Sequence, residues 1–416
     1  MKYLAVLGRQ PEISLAELSA LFAHVKQISP TLATFELTQT FSENNINKDF
    51  NFSRLGGSLK IAREIHESPL TFLKNLPEHK LILGLSDYSK TATPKSVLKT
   101  ALNLKTQLKK SGKSVRIINT KDKILSTATS HHNQIAEKSG HVELIFHQNH
   151  IYEVVHVQNI SAYAARDQKR PARDAKNGML PPKLAQILLN LAGNLPPESL
   201  ILDPFCGSGV VAQEALLMHY NAFGTDLNAI MVEKTLKNLD WLQNSYLKSR
   251  KILNLDPAKL KFTATQGDAT SHNWLTASES PKTLKIPEKS PFIIPFFNQS
   301  ISAVVAETYL GPPMSTPPAN IKLTEVKQSC ASIILAFLKN LAPQIHENTP
   351  VILATPAWLR HDGTYESLNL LDACEKLGYN VQKYQHLSKP NLLYYREGQV
   401  VAREIISLRK KSHVTR

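Results

Sequence analysis

Three acidic residues and a glycine-rich turn have the types and spacing of a ligand-binding site. The stretch SLILDPFCGSGVVAQEAL runs from an apolar segment through Asp203, turns at Gly207 and Gly209, and continues as an amphipathic pattern. A strand, a glycine turn and a helix start bring free backbone N–H groups close to a ligand. Asp226 and Asp268 end the next two apolar segments. The pattern predicts a nucleoside-containing ligand held at the carboxyl ends of three strands.

Two classes of ligand fit a glycine turn followed by a strand-end acid. The turn together with Ala212 satisfies the G-x-G-x-x-A dinucleotide pattern, so an NAD enzyme is a fair alternative. Asp203, however, occupies the place of the dinucleotide pyrophosphate, and a carboxylate repels that anion in a partly desolvated crevice. S-adenosylmethionine instead carries an ammonium and a sulfonium. Asp203 therefore favours S-adenosylmethionine, with Asp226 expected to bind the ribose hydroxyls and Asp268 the adenine amino group.

Cys206 lies within the glycine turn, where a helix N-terminus lowers the pKa of a thiol. The sequence places no base beside Cys206, so a small side chain lining the turn is the preferred interpretation over a nucleophile. The predicted cofactor-binding residues are Asp203, Pro204, Cys206, Gly207, Ser208, Gly209, Asp226, Leu227, Asp268 and Ala269.

The elements that position these residues alternate along the C-terminal half. Strands are predicted at 200–202, 222–226, 260–266, 301–306 and 351–355, and helices at 209–219, 229–242, 324–341 and 365–377. This alternation predicts an α/β domain with a parallel, doubly wound sheet. A hairpin around Glu397–Gly398 predicts an antiparallel last strand, and the Ser/Pro/Lys-rich stretch 276–300 predicts an insertion loop.

The N-terminal half alternates differently and predicts small α+β modules. Helices are predicted at 15–22 (with Ser14 as N-cap), 97–109 and 131–139, and strands at 3–7, 31–37, 81–86, 114–119, 141–148 and 150–158. The charged, Pro- and Gly-punctuated stretch 166–182 is typical of a domain junction.

The bulk composition limits the class of protein and of partner. A length of 416 residues predicts two or three domains, and a net charge of +15 favours a polyanionic partner. The three cysteines fit no disulfide framework or zinc spacing, and the histidines lack acidic or thiol partners at ligand spacing, so no metal is predicted. No apolar run reaches membrane-spanning length, and the N-terminal apolar segment is too short for a signal peptide, which predicts a cytoplasmic protein without membrane contact.

Basic residues outside the glycine turn are candidates for RNA backbone contacts. Those between 103 and 123 would position RNA through phosphates if they share one face, and a solvated charged face is the alternative. The junction cations would guide a flipped nucleotide or neutralise Asp167 and Asp174. The predicted RNA-binding residues are Lys109, Lys110, Lys113 and Arg116, followed by Arg166, Lys169, Arg170 and Arg173 in the junction.

Four stretches together resemble a known family, the THUMP-containing tRNA guanosine N2-methyltransferases of archaea and eukaryotes, which act on position ten. They are YLAVLGRQPEISLAEL, LKKSGKSVRII, RDQKRPARD with GMLPPKLAQILLNLAG, and DPFCGSG with GTD. The resemblance implies a ferredoxin-like domain (1–75), a THUMP domain that grips the tRNA (76–165), a basic linker (166–182) and a class I methyltransferase domain (183–416). It implies S-adenosylmethionine as cofactor and tRNA as partner, and leaves a small activator subunit open.

The fourth predicted strand departs from this family. Glu307-Thr308-Tyr309-Leu310 stands where the family has an Asp-Pro-Pro-Tyr type motif that holds the target amine. An acid and an aromatic residue survive, so Glu307 and Tyr309 are the predicted catalytic residues. Three functions remain open: an RNA methyltransferase acting on a guanine amine, a DNA amino-methyltransferase, and a non-catalytic RNA-binding protein that kept the fold.

Overall fold

The computed structural model describes residues 1–37, 50–173, 179–247, 261–275, 299–384 and 392–412. It divides into two compact units, Met1–Tyr163 and Ala164–Arg416. The predicted insertion loop falls almost entirely on 276–298, outside the described residues, as do residues 174–178 of the junction.

Within the described residues, the first unit contains one sheet of eight strands in the order β2-β3-β1-β4-β8-β7-β5-β6. Neighbouring strands pair antiparallel except β5, which runs parallel to both β6 and β7. The strands are β1 (Lys2–Leu7), β2 (Ala23–Ser29), β3 (Leu32–Glu36), β4 (Ser58–Ile65), β5 (Lys80–Asp87), β6 (Ser114–Ile117), β7 (His141–His147) and β8 (His150–Val157). The helices are α1 (Pro11–Leu21), α2 (Pro69–Asn75), α3 (Pro94–Lys110), α4 (Thr127–His132) and α5 (Ile160–Gln168), which crosses into the second unit.

This sheet continues across the predicted boundary at residue 75, because β4 pairs with β8. The ferredoxin-like and THUMP modules stay a prediction. The helix expected over 131–139 is wrong in most of its length, since α4 ends at His132. Gln134 and Ala136 have φ of 54° and 61°, which a right-handed helix does not accommodate.

The loop after β1, at Gly8, lies in contact with the loop before β4, at Gly56 and Gly57. Pro11 begins α1, because its fixed φ and missing N–H suit the first helical position. The prediction of Ser14 as N-cap is therefore wrong: Ser14 is buried within α1 and donates from Oγ to the Gly57 carbonyl over 2.7 Å. The buried Glu17 carboxylate accepts from the N–H groups of Gly56 and Gly57 over 2.9 and 2.8 Å. A Cβ at Gly8 would meet the Gly57 oxygen at 2.7 Å, so this contact requires glycine.

A fully buried ion pair lies in the core of the first unit. Lys60 on β4 donates from Nζ to Glu143 Oε1 on β7 over 2.6 Å, and the two side chains are 1% and 0% exposed. Ser86 and Ser130 donate to the same carboxylate over 2.7 and 2.6 Å, and Lys60 also donates to the Leu125 carbonyl over 2.8 Å. Both ions are thus paired and hydrogen-bonded, the condition under which a charge remains in a core.

The second unit confirms the predicted doubly wound α/β architecture. Its described strands follow the order β11-β10-β9-β12-β13-β17-β15. The first five run parallel, and β17 lies antiparallel to β13, as the hairpin around 397–398 predicts. The strands are β9 (Leu200–Asp203), β10 (Asn221–Asp226), β11 (Phe262–Gln266), β12 (Ile301–Glu307), β13 (Pro350–Leu359), β14 (Tyr365–Ser367), β15 (Tyr379–Val381), β16 (Leu392–Tyr394) and β17 (Val401–Lys410).

The described helices of this unit cover the sheet. They are α6 (Pro182–Leu191), α7 (Val210–Leu217), α8 (Ala229–Trp241), α9 (Asn320–Leu341) and α10 (Leu371–Lys376). Helix α9 packs its buried residues, among them Ile334 and Phe337, against Val304 and Leu353 of the central strands. The helix predicted over 365–377 is wrong in its first part, where β14 pairs with β13.

Candidate active site

The carboxyl end of β9 lies where the strand order reverses, with β10 on one side and β12 on the other. Such a switch point leaves a crevice in which ligands of open α/β sheets bind. The glycine turn follows directly, and Gly207 and Gly209 adopt φ of 51° and 79°. A Cβ at Gly209 would lie 2.8 Å from Thr235 Cγ2, so this position requires glycine for space as well as for conformation.

Asp226, at the end of β10, holds the turn in shape. Its Oδ2 accepts from the Gly207 N–H and its Oδ1 from the Asn228 N–H, each over 2.9 Å. A carboxylate offers about four lone-pair sites, so both oxygens retain capacity for the hydroxyl groups of a ligand. The turn and the strand-end acid therefore form one preorganised unit.

Asp203 carries the most unusual electrostatics of the crevice. Its side chain is buried, and burial raises its pKa well above the ordinary value of an aspartate. The Phe205 N–H, donating to Oδ1 over 3.2 Å, opposes this rise, while the nearby Asp226 and Glu307 increase it. Three carboxyl groups thus converge on one end of the sheet, and a cationic ligand would relieve their repulsion.

Asp268, which follows β11, stands in a different environment. Its Oδ1 accepts from the N–H and the hydroxyl of Thr270 over 2.8 and 2.7 Å, and these bonds lower its pKa. Leu227 and Ile230 follow the neighbouring strand, β10, and their side chains are 69% and 59% exposed. Exposed apolar side chains beside a strand-end acid suit a flat, partly apolar ring that carries a hydrogen-bond donor.

Cys206 is not placed as a nucleophile. Its side chain is buried, and burial, together with Asp203 and Asp226, raises the pKa of its thiol. Thr235 donates from Oγ1 to the Gly207 carbonyl over 2.9 Å and lies 3.6 Å from the Cys206 sulfur. A thiol without a lowered pKa is a packing group, as the sequence interpretation preferred.

Asn238 on α8 is a positioning residue that the sequence interpretation missed. Its Nδ2 donates to the Ser208 carbonyl in the turn over 2.9 Å and to the Ala172 carbonyl over 2.8 Å. The Ala172 N–H donates back to Asn238 Oδ1 over 2.9 Å. The signal was present in the sequence: Thr235 and Asn238 are polar residues at helical spacing on the otherwise apolar buried face of α8.

The end of β12 places a carboxylate and an aromatic ring beside the crevice. Glu307 ends the strand, and Arg403 on β17 donates from Nε to Glu307 Oε1 over 2.8 Å. The two side chains are 16% and 6% exposed. Tyr309, two residues on, is 43% exposed. Gly311 has φ of 83°, and a Cβ there would lie 2.8 Å from Val326 Cγ1, so the loop turns tightly against α9.

The junction cations fall into two groups. Arg166 and Arg170 are buried, and Arg166 donates from Nε to Glu214 Oε1 over 2.6 Å in a pair that is 7% and 1% exposed. This burial argues against direct phosphate contact by either arginine. Lys169 and Arg173 are exposed and stay available for the predicted RNA contact.

The basic residues of the first unit are also divided by the structure. Lys113 donates from Nζ to the backbone carbonyls of Leu76 and Glu78, over 2.5 and 2.8 Å, and therefore closes a loop. Exposed lysines lie along α3, which contains no acid in its sequence PKSVLKTALNLKTQLKK: Lys95, Lys99, Lys105, Lys109 and Lys110. Arg116 is exposed as well and donates to Asn133 over 3.0 Å.

The described residues contain neither a metal-binding cluster nor a membrane-spanning helix. Within them, no group of three His, Cys, Asp or Glu side chains is arranged to hold a metal ion. No described helix combines the length and apolar character needed to cross a membrane.

Comparison with known families identifies the region around the glycine turn. Residues 169–269 match the family model described as RMKL-like, methyltransferase domain. A segment of 75 residues is 44% identical to a tRNA (guanine(10)-N2)-dimethyltransferase of Methanothermobacter thermautotrophicus. That match covers 18% of this chain and spans 21% of the relative's length. These matches confirm the resemblance on which the sequence interpretation relied, within the residues they cover.

Comparison with solved structures returns methyltransferases. The crystal structure of TrmN from Thermus thermophilus aligns over 99% of this chain and 100% of that chain, at 14% identity and a TM-score of 0.42. A magnesium protoporphyrin IX methyltransferase from Synechocystis, solved with bound SAM, aligns over 61% of this chain and 96% of that one, at 10% identity and a TM-score of 0.30. The fold assignment rests on the strand order of the second unit and not on these alignments.

Proposed function

We propose that this chain transfers a methyl group from S-adenosylmethionine to the exocyclic amine of a tRNA guanosine. The observation that carries the cofactor assignment is the buried Asp203, whose charged neighbours are the acids Asp226 and Glu307. A dinucleotide would place its pyrophosphate against these carboxylates, whereas the ammonium and sulfonium of S-adenosylmethionine complement them. The donor set of the crevice therefore fits this cofactor and disfavours NAD.

Each residue of the crevice has one task in this proposal. Asp203 accepts from the cofactor ammonium, Asp226 from the ribose hydroxyls and Asp268 from the adenine amino group. Asp226 is prepared for its task by the Gly207 N–H, which fixes the carboxylate before any ligand enters. Leu227 and Ala269 flank the adenine ring. S-adenosylmethionine supplies an electrophilic methyl group on a positively charged sulfur.

The tRNA substrate is inferred from the curated relative and from charge. The relative matched over 75 residues is a tRNA (guanine(10)-N2)-dimethyltransferase. The net charge of +15 and the acid-free, lysine-rich α3 favour a polyanion. A guanosine at a position like the tenth of tRNA is the target that agrees with both.

Glu307 and Tyr309 act on the target base. The lone pair of a guanine 2-amino group is delocalised into the ring, so the base must be held flat and its amine oriented. The exposed Tyr309 ring offers a stacking surface, and Glu307 Oε2 accepts the hydrogen bond of the amine. Bound S-adenosylmethionine would donate its methyl group to the amine nitrogen and keep the electron pair on sulfur, and the Glu307 carboxylate would take the amine proton.

Nucleoside mass spectrometry of tRNA treated with the purified protein and S-adenosylmethionine tests this function. We expect N2-methylguanosine in tRNA and no methylated base in duplex DNA offered in parallel. Methylated duplex DNA would favour a DNA amino-methyltransferase. No methylguanosine, with tRNA and cofactor both bound, would establish a non-catalytic RNA-binding protein.

Glu307→Gln should reduce turnover by roughly 10- to 100-fold, because the amide removes the proton acceptor but keeps an oxygen for Arg403. Binding of S-adenosylmethionine, measured by calorimetry, should change little. Tyr309→Phe is the matched control, since it keeps the stacking ring and should retain most of the activity. Equal turnover in Glu307→Gln and wild-type protein would remove Glu307 from the chemistry.

Replacing Lys105, Lys109 and Lys110 together by glutamine should weaken tRNA binding and flatten its dependence on salt. Each lost phosphate contact reduces the slope of log affinity against log salt by about 0.9 for duplex nucleic acid. Filter binding at several salt concentrations measures both quantities. Replacing three exposed lysines of the second unit by glutamine (Lys322, Lys339 and Lys376) is the control for charge alone. Equal slopes in the triple variant and the control would exclude α3 from the RNA contact.

A further inference from the structure

We propose that Arg403 is a positioning residue that holds the Glu307 carboxylate in place for the target amine. This inference rests on the proposed function and assigns a role to a residue that the sequence interpretation passed over. Arg403 lies on β17 close to the carboxyl end of β13, because Arg403 is the register partner of Pro356.

The geometry of the pair restricts the carboxylate to one orientation. Arg403 Nε lies 2.8 Å from Glu307 Oε1, and the arginine side chain is 6% exposed. Glu307 Oε2 accepts no hydrogen bond from the described residues, and the glutamate side chain keeps 16% of its surface exposed. One oxygen is therefore fixed by the guanidinium and the other is left for a substrate donor. A charge-assisted bond from a buried guanidinium is among the stronger and more directional hydrogen bonds.

The charges around Glu307 explain why a cation is needed there. Asp203 on β9 interacts unfavourably with Glu307, and Asp226 on β10 adds a further negative charge to the same crevice. The strand neighbour on β13 is Ala354, which carries no charge. Among the described residues, Arg403 on β17 is the cation that pairs with Glu307, and its charge offsets the repulsion from the other two carboxylates.

A purely structural role, in which the pair only fastens β17 to β12, makes a different prediction. A fastening pair would affect unfolding, turnover and ligand affinity together. A positioning role affects turnover but not ligand affinity, and a second cation at position 403 restores the turnover.

The test compares Arg403→Gln, Arg403→Lys and Arg409→Gln in the full chain by single-turnover methylation of tRNA. We expect Arg403→Gln to lower turnover at least about 10-fold, with the dissociation constants of cofactor and tRNA within about twofold of wild type. Arg403→Lys should recover most of the lost turnover, since it returns a cation to the Glu307 carboxylate.

Arg409 is the matched control. It lies on the same strand, near the amino end of β13, and donates to the Asn348 carbonyl over 3.0 Å. Wild-type turnover in Arg403→Gln, or the same loss in Arg409→Gln, overturns the inference and leaves the methyltransferase proposal standing. If Arg403→Gln does not fold, Arg403→Lys decides alone: turnover near that of wild type, with unchanged dissociation constants, supports the inference, and weakened binding of cofactor or tRNA overturns it. Absence of methyl transfer by the wild-type protein overturns the proposed function, and this inference with it.

Discussion

Asp203→Asn should bind S-adenosylmethionine at least about 100-fold more weakly than the wild-type protein, and should unfold at a higher temperature when no ligand is present. The loss of affinity follows because the amide cannot offer a negative charge to the cofactor ammonium, and charge-assisted hydrogen bonds are the strong ones. The gain in stability follows from burial: the pKa of Asp203 is raised well above its usual value, so the ionised group destabilises the ligand-free fold at neutral pH.

The pH dependence of this gain has a defined sign. A carboxyl group whose pKa is raised by folding contributes its stability below the pKa of the unfolded chain and loses it as pH rises through the folded pKa. The excess stability of Asp203→Asn should therefore be large at neutral pH and shrink on acidification. Calorimetry for affinity and thermal unfolding at several pH values measure both effects.

Asp268→Asn is the matched control, because the pKa of Asp268 is lowered by its bonds to Thr270 and not raised. Its replacement should weaken cofactor binding without raising the unfolding temperature. A wild-type affinity in Asp203→Asn would remove the basis of the cofactor assignment. A lower unfolding temperature would show that the buried carboxylate is compensated by a partner other than the ligand.

Lys60→Met should lower the free energy of unfolding of the first unit by about 3–5 kcal/mol, the cost of removing one partner of a buried ion pair. The change leaves Glu143 with two serine hydroxyls and no cation in a site that is 0% exposed. Arg63→Met is the control on the same strand: its pair with Glu153 is 30% and 18% exposed and should contribute less than about 1 kcal/mol.

The three tryptophans, Trp241, Trp274 and Trp358, lie in the second unit, so their fluorescence reports on that unit alone. In urea, the far-ultraviolet circular dichroism of Lys60→Met should show an early transition, while the tryptophan transition stays at its wild-type midpoint. An unchanged dichroism curve would mean that the ion pair contributes little. A double variant that also replaces Glu143 by leucine should recover much of the loss, because no unpaired charge remains.

The conformation of the glycine turn could be predicted from the sequence because its determinants are local. Asp203, Gly207 and Gly209 lie within one strand-turn-helix segment, and a positive φ or a strand-end acid leaves a direct mark on residue type. Asp226 and Asp268 follow from the same logic applied to the next two strands.

The features that the sequence did not reveal depend on contacts between distant residues. Strand β4 was not predicted, because its sequence SLKIAREI contains Lys60, a residue that is buried only when Glu143 pairs with it. Arg403 and Glu307 lie far apart in the sequence and meet through the pairing of β13 with β12 and β17. For Arg166 and Arg170 the sequence left RNA contact and neutralisation by the junction acids open, because residue type alone does not show the buried acid Glu214.

The hydrogen bonds of Ala172 determine where the second unit can be cut from the chain. A fragment that starts at residue 183 lacks Ala172, so Asn238, which also donates to the Ser208 carbonyl of the glycine turn, loses both of its hydrogen bonds to Ala172. The same fragment lacks Arg166 and leaves the buried carboxylate of Glu214 without its cation. A recombinant form of the second unit intended for crystallisation or ligand screening should therefore begin at residue 164, with the last turn of α5 retained as part of its core.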